Sequence, residues 1–322
     1  MAAHLAHVQW ATGHWAEATR TAQQALADGR GGITTRITAR YVLGCLALGR
    51  GDWDAVTGLL QEALTEGEQM AELQRFSPPL WGLAEAAACT GDYDTAVKLC
   101  ERGYTASADV TDAAYLFPYL VTGVRAYLGS GDADAAEAWS GRVGEVLTAR
   151  AIPGTLPAID HARGLVLLAR GDLPAAWQAL QAAGESWQAR RRFWEGTWAR
   201  LDLAAAAARA RRRAEAARLI GEVRAVAATA GAAAALADAA DQLADSFDHG
   251  RPADPWHPLS AREFEVARLV AAGLTNRQIA GRLVLAPKTI SAHITHILTK
   301  LGAARRSEAA VRDRRMVRDS PA

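Results

Sequence analysis

Hydroxyl and basic side chains lie close together near the C-terminus of this 322-residue chain, in a pattern suited to contacting a polyanion. Pro287 and Lys288 open a predicted helix there, and both a helix N-terminus and a lysine favour phosphate. Ser291 and Thr295 follow on the same helix, where their hydroxyls can bond base edges or phosphates with little discrimination. This pattern predicts non-covalent recognition of nucleic acid.

Helix start and stop signals surround these residues. Residues 260–263 form a capping box that opens a first helix, ended by Gly273, and residues 275–278 form a second capping box. A third helix begins at Pro287, and Ser307 caps a fourth. Four short helices with a tight connection between the second and third predict a helix-turn-helix whose third helix enters the major groove.

Charge is divided unevenly along the chain, although the net charge is only +1. Residues 259–322 carry 12 Lys and Arg against 5 Asp and Glu, which leaves 24 against 30 for residues 1–258. A basic module on an acidic body is the balance expected of a protein that binds nucleic acid. We therefore expect double-stranded DNA as a partner.

The segment LSAREFEVARLVAAGLTNRQIAGRLVLAPKTISAHITHILTKLGAARRSEAAV resembles the LuxR-type (GerE-like) helix-turn-helix of bacterial transcriptional regulators. The resemblance spans about residues 259–312 and covers the start motif, the second helix and the third helix. The positions in register are Arg262, Glu263, Glu265, Val266, Gly273, Asn276, Ile279, Ala280, Leu283, Thr289, His293, Lys300, Leu301 and Gly302.

This resemblance implies roles for individual residues. Lys288 and Thr289 are expected to contact phosphate. Ser291, Ala292, Thr295 and His296, on the next two turns of the third helix, are expected to face the base edges. A fourth helix around Ala309 to Arg312 is expected to join two copies into a homodimer. The implied DNA-binding residues are Asn276, Arg277, Lys288, Thr289, Ser291, Ala292, Thr295, His296, Lys300, Arg305 and Arg306. Many relatives carry basic residues where this chain has Ser291 and Thr295. Contacts to the charged DNA backbone are therefore expected to depend more on arginines such as Arg305 and Arg306.

A Gly-Asp pair recurs with a period of 40 in the first part of the chain, at Gly51, Gly91, Gly131 and Gly171. Such a fixed period indicates a repeat protein, and each copy reads as two helices around a tight turn. Degraded copies at both ends extend the count to six. The sequence resembles tetratricopeptide-like repeats and predicts an all-α fold, a right-handed helix-pair solenoid followed by a four-helix LuxR-type helix-turn-helix domain.

Three domain segments follow from this pattern: a repeat domain over 1–247 for sensing or interaction, a proline-containing linker over 248–258, and a DNA-binding domain over 259–322. Within the repeats, Trp187, Arg191, Trp194 and Trp198 are candidates for a ligand or partner groove. Spacings of seven and four place the three tryptophans on one face of a single predicted helix, where core packing is the alternative interpretation.

Other function classes find little support. The chain has no phosphate loop, nucleophile elbow or His-Glu-x-x-His zinc motif, so we expect neither enzymatic activity nor a cofactor or metal. It also has no apolar run long enough to cross a membrane, which favours a cytoplasmic protein. Repeats followed by a LuxR-type module resemble the C-terminal half of large ATP-dependent LuxR regulators, and we expect a short form or a fragment of one.

Two functions stay open. One is a DNA-binding transcriptional regulator whose repeat array senses a small-molecule or protein effector. The other is a repeat-protein scaffold whose C-terminal module mediates assembly, an alternative suggested by the uncharged Ser291 and Thr295.

Overall fold

The computed structural model describes residues 2–29, 31–111, 115–230, 233–248, 261–271, 273–283, 285 and 287–300. Over these residues the regular structure is helical, with sixteen α-helices. The chain divides into two compact units: the repeat array, residues 1–128 and 132–249, and the C-terminal module, which includes residues 250–322. The finer division, with a linker at 248–258, stays a prediction because most of that linker lies outside the described residues.

The repeat array consists of six helix pairs and a final helix. Its helices are α1 (Ala2–Ala11), α2 (Trp15–Asp28), α3 (Gly32–Arg50), α4 (Trp53–Met70), α5 (Leu73–Cys89), α6 (Tyr93–Ser107), α7 (Phe117–Gly129), α8 (Ala133–Arg150), α9 (Pro157–Arg170), α10 (Leu173–Ala189), α11 (Phe193–Arg209), α12 (Arg213–Thr229) and α13 (Ala234–Asp248). This arrangement confirms the predicted all-α helix-pair repeats.

The Gly-Asp turns join the two helices of a pair. Gly51 adopts a φ of 71°, a left-handed conformation that ends α3 without steric strain, and the Asp52 side chain then accepts a hydrogen bond from the amide of Ala55. The later aspartates at the same repeat position cap their helices in the same way: Asp92, Asp132 and Asp172. In the sixth copy Arg211 takes this conformation instead, with a φ of 60°.

Three of the turns between successive pairs carry no glycine signal, whereas the turn between α2 and α3 contains Gly29 and Gly32, both with positive φ. Ala71, Ala151 and Arg191 all have positive φ, between 50° and 55°, and they lie midway between the Gly-Asp turns. The turn at Arg191 separates α10 from α11. The prediction of one helix carrying Trp187, Trp194 and Trp198 is therefore wrong, since an alanine or arginine gives no local sign of a left-handed turn.

The helices of a pair approach closely along a seam of small residues. A Cβ atom added at Gly44 would lie 2.5 Å from Leu60, and one at Gly164 would lie 2.6 Å from Leu180. One further position is small and buried in all six copies, as Ala18, Val56, Ala96, Ala136, Ala176 and Ala216. Leucine side chains thus fill the space that the small residues leave.

Odd-numbered helices form an inner layer, in which α1 contacts α3, α3 contacts α5, and α9 and α13 each contact α11. The first and last repeats also meet, because α1 contacts α11 and α3 contacts α13. The Trp15 ring packs edge-on against Phe193 at 5.1 Å between centroids. The interior of the array is consequently lined by aromatic residues from both of its ends.

The C-terminal module contains α14 (Ala261–Ala271), α15 (Asn276–Leu283) and α16 (Pro287–Lys300). The predicted fourth helix around Ala309 to Arg312 lies outside the described residues. Among the helices of the described chain, none combines the length and the apolar character that crossing a membrane requires.

Candidate functional site

The C-terminal module packs its three described helices around a small apolar core. The buried side chains are Val266, Ala267, Val270, Ile279, Ala280, Ile290, Ile294 and Ile297. Only three residues, 284–286, connect α15 to α16. The short connection and the shared core fix the direction of α16 relative to α15.

Helix α16 has one face in this core and one face outside it. Ile290, Ile294 and Ile297 are buried, whereas Lys288, Ser291 and Thr295 are exposed at spacings of three and four. The remaining candidates on this helix, Thr289, Ala292 and His296, are half-buried. The exposed face is therefore a continuous stripe of one cation and several small polar groups, which we call the α16 stripe.

The start of α15 adjoins this stripe. Asn276 Nδ2 donates a hydrogen bond of 2.9 Å to Ser291 Oγ, so the two predicted DNA-binding residues meet between the helices. Thr275 and Gln278 form the predicted capping box, in which the Thr275 amide donates to Gln278 Oε1 at 2.8 Å. Arg277 is exposed at the first turn of α15. The site thus combines polar groups from two helices.

Three predicted DNA-binding residues are not placed by the structure. Arg305 and Arg306 lie outside the described residues, and so does the side chain of Lys300. Their roles stay predictions.

A comparison with protein families agrees with this geometry. Residues 257–312 match the model of the family described as bacterial regulatory proteins, luxR family. The module is a luxR-family helix-turn-helix domain. Within it, α15 and α16 are the two helices on either side of the turn.

Relatives of known name match the chain over a stretch of similar length. A Mycobacterium bovis protein named as an HTH-type transcriptional regulator is 48% identical over 56 residues, 17% of this chain and 6% of that protein. The oxygen regulatory protein NreC of Staphylococcus aureus is 47% identical over 55 residues, 25% of its length. The chain therefore matches only a small part of these relatives, the size of the luxR-family domain.

Solved structures of helical proteins resemble the chain weakly. BtubC from P. vanneervenii has a TM-score of 0.45 at 14% identity, covering 70% of this chain and 91% of its own. A STAND protein with a tetratricopeptide repeat sensor from Pyrococcus horikoshii has a TM-score of 0.48 at 12% identity, covering 92% and 46%. Scores this low do not establish a shared fold for the array.

The candidate groove residues of the array separate into two groups. Trp187, Trp194 and Trp198 come together from two helices and line a cavity of about 30 Å³, the size of one or a few water molecules. Trp187 and Trp194 are buried, whereas Arg191 is exposed in its turn. In this structure the three tryptophans pack in the array interior, as the core-packing interpretation expects.

Polar groups that sequence reasoning missed surround this small cavity. Glu85 is buried and accepts hydrogen bonds from Trp194 Nε1 at 2.9 Å and Thr122 Oγ1 at 2.5 Å. Glu85 and Arg125 occupy one repeat position, 40 residues apart, which Cys45 and Leu165 keep apolar in other copies. A charge at a position that is otherwise apolar was the signal that could have found them.

Arg125, His161 and Asp202 form a buried ion cluster beside Glu85. The Arg125 guanidinium makes a two-pronged contact with the Asp202 carboxylate, and His161 Nε2 lies 2.7 Å from Asp202 Oδ2. Burial opposes ionisation of Asp202, but the positive charge of Arg125 and the contact with His161 hold its pKa below the usual value. The carboxylate is therefore ionised inside the array at neutral pH.

His7 should make the stability of the array sensitive to mild acid. Burial, and then the positive charge of Arg192, lower its pKa to about 4, whereas an exposed histidine in the unfolded chain titrates near about 6.5. Because the unfolded state then binds the proton more readily, the free energy of unfolding should fall by up to about 3 kcal/mol as pH drops from about 6.5 to 4. Urea denaturation over this range measures the slope, and His7→Gln should flatten it; equal slopes for both proteins would contradict the assignment.

Proposed function

We propose that the chain is a DNA-binding transcriptional regulator that places α16 in the major groove and uses the repeat array to sense an effector. The α16 stripe carries this proposal, because a luxR-family domain leaves Lys288, Ser291 and Thr295 exposed on one helix face. At about 1.5 Å per residue this 14-residue helix is roughly 21 Å long. A helix of this kind fits the major groove, which is about 12 Å wide.

The start of α16 supplies the phosphate contact. Lys288 lies in the first turn of the helix, where the free amide groups also favour an anion. Arg277, at the start of α15, adds a second exposed cation. These groups position the domain on the DNA backbone, and the hydroxyls further along α16 face the bases.

Replacing Lys288 by alanine should weaken binding to all DNA sequences alike. One lost phosphate contact lowers the slope of log affinity against log salt by about 1 and affects specific and non-specific duplexes equally. Fluorescence anisotropy at several salt concentrations measures this slope. Lys98→Ala is the matched control, since Lys98 is an exposed cation on α6 of the array. A loss confined to one DNA sequence would contradict a phosphate role for Lys288.

Replacing Thr295 by valine should change sequence preference instead. Thr295 Oγ1 donates to the Ser291 carbonyl at 3.1 Å, and a hydroxyl oxygen can accept as well as donate, here from a base amino group. Losing a base contact of this kind reduces discrimination at one base pair by about 1–3 kcal/mol, with the salt slope unchanged. Selection from a randomised duplex pool compares the two preferences, and identical selected motifs would remove Thr295 from the base-reading set.

The same selection tests the dimer. A homodimer formed through the predicted fourth helix binds a two-fold symmetric motif with two half-sites, whose spacing the selected sequences report. A single asymmetric half-site would indicate a monomeric reader.

A scaffold in which the module mediates assembly is the second candidate. The hydrogen bond between Asn276 and Ser291 favours it, because it engages two of the predicted DNA-binding residues within the module. Binding to no duplex at low salt, together with self-association that mutation of the α16 stripe abolishes, would select this function.

A further inference from the structure

A second, larger cavity, partly open to solvent, lies next to the tryptophans of the array. Its volume is about 330 Å³, which is within the range of small-molecule sites, roughly 300–1,000 Å³. Its lining residues come from five helices of the inner layer: α1, α3, α5, α7 and α11. We call it the inner-layer cavity.

Aromatic rings form part of the cavity wall, beside polar and charged side chains. Tyr41, Trp81 and Phe117 line it from three different helices, and Tyr41 and Trp81 are almost completely buried. The His7 ring stacks on Tyr41, with centroids 5.6 Å apart and planes at 29°. Flat rings on several sides favour a flat, aromatic occupant.

Positive charge predominates among the lining groups. The charged lining groups are the guanidinium groups of Arg75 and Arg192 and the carboxylate of Glu195, and Arg75 Nε also lies 3.4 Å from Glu72 Oε2, outside the lining. Arg192 lies over the Phe117 ring and is paired with Glu195, yet its buried Nε has no hydrogen-bond partner, and neither has Glu195 Oε2. After burial, the positive charge of Arg192 lowers the pKa of His7, and the negative charge of Glu195 raises it to a lesser degree, so Arg192 outweighs Glu195 on that side of the cavity.

Helix direction adds to this potential. The lining residues of α5, α7 and α11 lie at the beginnings of these helices, between positions 74 and 81, at 115–118, and at 192 and 195. The N-terminal ends of α-helices carry partial positive charge. Several such ends around one cavity favour an acidic group on the occupant.

We propose that the inner-layer cavity binds a small aromatic carboxylate, with its ring against Tyr41, Trp81 and Phe117 and its acid group towards Arg75 and Arg192. This assigns a ligand class to the sensing role of the array and so rests on the proposed function, although binding itself requires no DNA.

Three compounds with the same ring test the proposal on the full chain: indole-3-acetate, indole-3-ethanol and tryptamine, which are anionic, neutral and cationic. Isothermal titration calorimetry should give a dissociation constant of about 1 mM or tighter for the acid, typical of a ligand this small. The alcohol and the amine should bind at least about tenfold more weakly. Equal binding of all three, or no binding of the acid, would overturn the carboxylate assignment.

Variants locate the site. Arg75→Gln and Arg192→Gln should each weaken indole-3-acetate at least about tenfold, and Arg192→Lys should keep part of the affinity because it keeps the charge. Arg36→Gln is the matched control, since Arg36 pairs with Glu66 on α4 and does not line the cavity. Thermal denaturation of the unliganded proteins shows which variants fold, and Arg75→Gln carries the test if Arg192→Gln does not. Unchanged affinity in a folded Arg75→Gln protein would place the ligand elsewhere.

DNA enters only as a second measurement. Anisotropy on a selected duplex, with and without indole-3-acetate, reports whether the cavity is coupled to the luxR-family domain. If indole-3-acetate binds but DNA does not, the ligand site stands and the proposed regulatory function fails. If DNA binds but indole-3-acetate does not, the regulatory function stands and the ligand site fails.

Discussion

Asp202→Asn is expected to destabilise the repeat array by about 3–5 kcal/mol, because it leaves the Arg125 guanidinium without its counter-charge inside the protein. The two side chains are 20% and 10% exposed, so solvent compensates little for the lost carboxylate. Urea denaturation followed by circular dichroism at pH 7 measures the change. Asp241→Asn, which removes an exposed partner of Arg224, should cost less than about 1 kcal/mol.

Acid gives a second signature of the same pair. Since the pKa of Asp202 is lower in the folded array than in the unfolded chain, its stabilisation is complete above about pH 4 and is lost as pH falls through the folded value. The difference in the free energy of unfolding between the wild type and Asp202→Asn should therefore shrink in strong acid. An apolar double variant, Arg125→Met with Asp202→Leu, should be more stable than either single variant, because no unpaired charge is left buried. If the double variant is less stable than both single variants, the expectation is wrong, and the ion pair stabilises the array more than apolar side chains at the same positions do.

Trp194→Ala should cost about 3–5 kcal/mol, the range for removing a large buried aromatic side chain. Trp194 is 3% exposed. Its ring packs edge-on against Trp198, with centroids 5.9 Å apart, and at a tilt against Trp15, with centroids 6.4 Å apart. Its removal opens a cavity between the two ends of the array and also takes a donor from the buried Glu85 carboxylate. Thermal and urea denaturation measure the loss.

Two further variants separate packing from hydrogen bonding at this position. Trp194→Phe keeps most of the ring but not the indole N–H, and should lose about 1–3 kcal/mol through the unsatisfied Glu85. Trp53→Ala is the matched control: Trp53 begins α4 and is 37% exposed, so its loss should matter far less. Equal losses at positions 53 and 194 would rule out the interior packing argument.

The sequence predicts the repeat well because its signals are local. Gly51 and Asp52 mark the end of one helix and the start of the next within two residues. The structure confirms the same turn in the other copies that carry the Gly-Asp pair. Apart from the glycines between α2 and α3, the turns between repeats at Ala71, Ala151 and Arg191 gave no such signal. Ala71 and Arg191 adopt left-handed backbone because packing of the adjoining helices requires it, and no local propensity predicts that conformation for these residue types.

The two candidate sites differ in the same way. The α16 stripe was predictable because its residues lie within a single short helix whose apolar positions identify the buried face. The interior polar contacts join residues far apart in sequence: 77 positions separate Arg125 from Asp202, and 109 separate Trp194 from Glu85. Only the closure of the array brings them together, so the composition of the individual helices could not show it.

The contact between the first and last repeats changes how the array should unfold. In an open solenoid each repeat touches only its neighbours, so terminal repeats can fray while central ones persist. Here α1 packs on α11 and α3 on α13, so opening either end disrupts the aromatic interior shared by both. We therefore expect the array to unfold as one cooperative unit, with nearly uniform hydrogen-exchange protection. Its final folding step also has to wait for the two ends of a long chain segment to meet, which slows folding relative to an open stack of the same helices.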